Sequence, residues 1–190
     1  MSPHVLARLR VGLLLFVAIL VQTSLASDLR VAEVAPDFMV LITICAGMAG
    51  GAEAGAWVGF WAGLATDMFL TSTPLGLSAL TYCLVGAAVG ALRAGVLQEH
   101  RALIPAVAFV ATAAAAVLFV ALGDVLGQSQ LLDAGRSWLI RVALVEALWS
   151  TVLSLPVSIV YAWAARGSAG IEQLGPPRGG MISTERLPAR

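Results

Sequence analysis

Lysine is absent from the chain, and its positive charge rests on eleven arginines that balance eleven acids. A neutral protein without a basic patch offers no electrostatic footprint for nucleic acid, so none is expected as a partner. Histidine and cysteine are almost as scarce. His4 and His100 stand alone at segment ends, while Cys45 and Cys83 each lie inside apolar runs. Neither pair forms a metal-ligand pattern, and the cysteines read as small hydrophobes rather than as a disulfide or metal site. Charge of either sign is rare too, at 12% of residues against 59% hydrophobic, where an average soluble domain carries roughly 25% charged residues. Such a chain belongs in a membrane.

Runs near the roughly 20 residues needed to cross a bilayer occur at 11–25, 75–92, 103–123 and 138–165. The stretch 36–70 is harder. As one helix it would be roughly 52 Å long, well beyond a hydrocarbon core of about 30 Å. Two short crossings, 36–49 and 53–71, need a tight turn around Gly50, Gly51 and Glu53, which paired glycines tolerate. The arginines favour that division. Six crossings with an inside N-terminus leave Arg8, Arg10, Arg93, Arg101 and Arg166, with the tail residues Arg178, Arg186 and Arg190, on the cytoplasmic side, and only Arg30, Arg136 and Arg141 outside. Five crossings would reverse Arg93, Arg101 and the tail against the positive-inside bias. The expectation is an all-α integral membrane protein, a six-helix domain at 1–166 with both termini cytoplasmic. The Gly- and Pro-rich segment 167–190 reads as a disordered cytoplasmic tail, having too little apolar content for a core. Arg8, Arg10, the first apolar run and Ser24-Leu25-Ala26-Ser27 also fit a signal peptide cleaved after Ala26, which would leave five crossings.

Glycine recurs at every fourth position through GMAGGAEAGAWVGFWAGLATD: Gly47, Gly51, Gly55, Gly59 and Gly63, with Asp67 one step further. Small residues at this spacing let helices approach where no hydrophobic force drives association. With a break near Gly51, the consistent part of the row is Gly55, Gly59, Gly63 and Asp67, a packing groove ending in an acid, and Gly47 and Gly51 share its spacing partly by chance. Gly86 and Gly90 repeat the pattern. Packing within the protein is the simpler reading, and an interface with a second protein is the other.

Ionisable groups at membrane depth call for an explanation, here Asp67, Arg141 and Glu146. Asp67 precedes TSTPLG, a turn with Ser72 or Thr73 as N-cap and Pro74 at the first helical position, whose amides the carboxylate can accept from. An acid used only as an acceptor would tolerate Asn, whereas a null phenotype for Asp67→Asn would point to its charge, as in a proton or ion site, the other reading. Arg141 and Glu146 lie about 140° apart around a helix and pair poorly. Arg141 snorkels to headgroups, and the partner of Glu146 is unnamed. Pro36-Asp37 reads as a helix start, with Pro in the first turn and the acid at the positive dipole end. Gln22 and Thr23 can bond across helices or to backbone, and Pro156 reads as a kink in the last crossing. There is no nucleophile–base pair, P-loop or dinucleotide turn, and too little chain lies outside the membrane to enclose a reaction. An enzyme is not expected, nor a cofactor.

In order, VQTSL (21–25), APDFMVLI (35–42), GFWAGLATDMF (59–69) and PLGLSALTYCLVGAAVG (74–90) resemble the rod shape-determining protein MreD family. The likeness covers about 5–95 and fades over the last two crossings. It matches Pro36 and Asp37 to the family's second-span start, Gly59, Gly63 and Asp67 to its third-span signature, and Pro74, Leu75 and Gly76 to its turn into the fourth. The resemblance implies a non-catalytic inner-membrane component of the bacterial elongation machinery, in contact with lipids and with MreC, and through MreC with MreB, the RodA glycosyltransferase and its class B penicillin-binding transpeptidase. It also implies a fold similar to the S components of energy-coupling-factor transporters, which keeps a vitamin-binding alternative in view, although fold alone does not carry function.

Overall fold

The computed structural model describes residues 3–25, 36–69, 75–93, 103–127 and 136–165. They form five helices, α1 (Pro3–Leu25), α2 (Phe38–Phe69), α3 (Leu77–Leu92), α4 (Ile104–Val125) and α5 (Arg136–Ala164), without a strand among the described residues. Four of them, α1, α2, α4 and α5, are long and apolar enough to cross a membrane, and α3 is a shorter apolar helix. This is the architecture of an all-helical membrane protein. The tail at 167–190 and Pro74 lie outside the described residues.

The 32-residue α2 is not one rod. At Gly51 the backbone takes φ 81° and ψ −171°, a region open essentially to glycine alone. A β-carbon built on Gly55 would lie 2.9 Å from the Gly47 Cα, and one on Gly59 would lie 2.8 Å from the Thr43 Cγ2. Residues 43 and 59 would be about 24 Å apart along a continuous helix. The chain therefore folds back at Gly51, and its two arms, 38–50 and 52–69, pack antiparallel. The break falls within the expected Gly50–Glu53 turn, and the arms begin and end a residue or two from the expected bounds.

Helix α3 fills the groove between these arms. β-carbons on Gly55, Gly59 and Gly63 would collide with the backbone of Gly86, Tyr82 and Ser78–Ala79 respectively, all nearer than 3.0 Å. The reverse collisions, Gly86 against Gly55 and Gly90 against Gly51, are as close. The glycine row is thus an internal seam. Gly47 and Gly51 belong to it after all, because a β-carbon on Gly47 would stand 2.6 Å from the Gly86 carbonyl oxygen and Gly51 lies under Gly90. Their place follows from the fold-back, which brings the first arm's glycines onto α3 alongside the second arm's.

The first arm is buried without interruption from Met39 to Gly47, as expected for a helix that is apolar all round. At its end the Arg93 guanidinium donates to the Ala49 carbonyl at 2.6 Å, supplying a donor to a helix terminus that lacks intrahelical ones. Around this three-armed centre stand α1, α4 and α5, with Arg10 over the Trp163 ring at 5.5 Å. Their outward residues, such as Leu13, Val117 and Ile159, are apolar and exposed, the surface that hydrocarbon wets. Pro156 lies inside α5, and Cys45 and Cys83 are both free thiols.

Because the seam contacts are backbone on both sides, neighbours cannot rotate away. We expect Gly55→Ala or Gly86→Ala to cost about 1–3 kcal/mol, read as a lower Tm in detergent. Gly12→Ala, where a β-carbon meets nothing within 4 Å, should leave Tm unchanged or slightly raised.

Candidate functional site

Polar side chains gather where α2 starts, where its second arm ends and where α3 begins. Each helix start leaves backbone N–H groups without intrahelical acceptors, and a bilayer provides no water to satisfy them. Asp37 caps α2, its Oδ1 accepting from the amides of Met39 at 2.9 Å and Val40 at 3.2 Å. It is the capping residue itself, so Pro36 stands one position before the cap rather than in the first turn. Gln22 of α1 adds an acceptor, its Oε1 taking the Phe38 amide at 3.2 Å.

Asp67 does the same for α3 from a distance. Its Oδ2 accepts from the amides of Gly76 at 2.8 Å and Ala79 at 3.2 Å, and its Oδ1 from Ser78 at 3.2 Å. The acid is 2% exposed, and the positive end of the α3 dipole favours its charge. These are the turn amides anticipated for it, with one correction. Helix α3 begins at Leu77 behind a left-handed Gly76 (φ 100°) that makes no side-chain cap, so Pro74 is not its first residue. An acid on the neighbouring arm supplies what a local cap would have.

The two carboxylates are tied together through Tyr82, whose hydroxyl donates to Asp37 Oδ2. The Thr66 hydroxyl, one residue before Asp67, donates to the Ala62 carbonyl at 3.0 Å. Glu146 of α5 lies within electrostatic range of both Asp37 and Tyr82, and among the described residues it forms no hydrogen bond or ion pair. Arg141 is exposed, turned away from Glu146 as the helical angle requires. Asp37 and Asp67 thus have their oxygens committed to holding helices, and Glu146 is the carboxylate left uncommitted. Tyr82 was not singled out from sequence. A buried phenol that must find a partner was the available signal, yet its partner lies 45 residues away.

Comparison with known proteins adds identity to this geometry. The family model for rod shape-determining protein MreD matches residues 4–163, and the chain belongs to that family. The match runs through the last two helices, where the resemblance read from motifs had faded. No curated protein and no solved structure matches the chain.

The hydrogen bonds reverse the expectation that an acceptor at position 67 would tolerate Asn. Both of its oxygens accept, and an Asn would turn its NH2 toward an amide donor. We expect Asp67→Asn to cost about 1–3 kcal/mol, measured as a lower Tm and a lower membrane level. Tyr82→Phe and Asp37→Ala should each destabilise, and the double variant should cost less than their sum by about 0.5–3 kcal/mol, since both remove one bond.

Proposed function

We propose that this member of the MreD family is a non-catalytic scaffold of the bacterial inner membrane, which holds MreC and so helps organise peptidoglycan synthesis and cell shape. Family membership over residues 4–163 carries the reading. In the same proposal the two arms of α2 each cross the membrane, giving six crossings with both termini cytoplasmic. Arginine placement and the reversal at Gly51 support that count. RodA, the class B transpeptidase and MreB are reached through MreC.

Two features of the fold suit a scaffold. Its centre is locked by backbone contact and capped helix ends, and its carboxylates at Asp37 and Asp67 are committed to structure rather than poised for proton transfer. The rival reading, a vitamin-binding transport component, draws no support from the comparisons.

Purification of the full chain in mild detergent tests the proposal. MreC should co-purify, and depletion of the protein should turn rods into rounded cells. Absence of MreC and of every wall synthase from the purified material would overturn the reading.

A further inference from the structure

Arg10 and Trp163 join the start of α1 to the end of α5, and the depth of that contact in the membrane gives it a further use. Trp138 and Trp163 sit near opposite ends of α5, 41% and 57% exposed, and about 37 Å apart along the helix. Hydrocarbon spans about 30 Å of that length, so each indole rests in an interfacial belt. The Arg10 guanidinium lies over the Trp163 ring, 5.5 Å from its centroid. It is therefore held at the level of the lipid headgroups, where the apolar run of α1 begins.

An aromatic face attracts the cation but accepts hydrogen bonds only weakly. The guanidinium carries five N–H donors in a rigid fork that matches a phosphate, and its seat on the ring lowers the entropy lost when an anion binds. Beneath the charge, both helices offer apolar walls. Leu13 and Val17 follow Arg10 at i+3 and i+7 along α1, Ile159 and Val160 precede Trp163 by one turn of α5, and all four are exposed. A cation at headgroup level above an apolar wall has the layout of a lipid.

Charge decides which lipid. Because Gln22 meets Phe38 at the opposite end of α1, the Gly51 turn and Arg93 lie at the same end of the molecule as Arg10. Among the described residues that end carries Arg8, Arg10 and Arg93 against one acid, Glu53. A zwitterionic headgroup brings its own ammonium into this positive field, whereas an anionic one does not.

We propose that Arg10, seated on Trp163, binds the phosphodiester of an anionic phospholipid, with an acyl chain lying along Leu13, Val17, Ile159 and Val160. On the six-crossing reading the site faces the cytoplasmic leaflet, and its chemistry is independent of the contact with MreC.

The test uses the full chain, purified in mild detergent and stripped of lipid. It is titrated with phosphatidylglycerol, with phosphatidylethanolamine of the same acyl chains and with inorganic phosphate, and bound lipid is counted by native mass spectrometry. Phosphatidylglycerol should bind in preference, and inorganic phosphate should not displace it. Arg10→Gln should weaken that binding about fivefold, the worth of one arginine at an anionic surface. Arg8→Gln removes the same charge about 160° around α1, and should change binding by less than about twofold once salt screens the diffuse field. Trp163→Leu keeps the wall apolar and removes the ring, and should weaken binding about twofold to fivefold with Arg10 still in place. Equal binding of phosphatidylethanolamine, displacement by inorganic phosphate, or equal losses from Arg8→Gln and Arg10→Gln would overturn the proposal. Should Arg10→Gln fail to fold, Trp163→Leu decides alone, and undiminished binding by that variant overturns it.

Discussion

Backbone meeting backbone across glycine is the constraint on which the rest of this molecule depends. In a bilayer, apolar side chains gain nothing by leaving lipid for one another, so helices must be held by close packing and a few polar bonds. The chain solves this with one reversal. Gly51, in a conformation other residues avoid, folds a 32-residue helix back on itself, and the glycines on either side of the fold meet α3 as a third strand of the same seam. Had the seam been lined by larger residues, neither the fold-back nor the seat of α3 would fit.

Bringing three helix segments this close creates a second requirement, since their ends must be satisfied without water. The solutions are long-range. Asp37 closes α2 and grips Tyr82 of α3, Asp67 of α2 closes α3, and Arg93 at the end of α3 closes the first arm of α2. Each cap on one element is supplied or shared by another, so capping and assembly are the same event. That coupling ties the two arms of α2 and the start of α3 into one unit.

Much of this was legible in the amino-acid order, and the limits are physical. Membrane residence followed from the scarcity of charge, and the break in α2 from the conflict between helix length and bilayer thickness. The Gly55–Gly59–Gly63 groove and the duty of Asp67 toward the following turn followed from spacing. Rules of local order expect a cap to come from the adjacent residues, and so they placed the α3 start at Pro74 rather than behind Gly76. Gly47 and Gly51 looked incidental because their role depends on the register of two antiparallel arms, which no periodicity along one helix encodes. The bond from Tyr82 to Asp37 and the place of Glu146 near them depend on tertiary neighbours for the same reason.

The fold-back at Gly51 is the centre of the account, and one distance tests it. Spin labels at positions 38 and 68, in a chain with Cys45 and Cys83 replaced by Ala, report the separation of the two ends of α2. A hairpin predicts less than about 25 Å, one to two helix diameters plus the label arms. A continuous helix would place the labels about 45 Å apart, and that result would contradict the account.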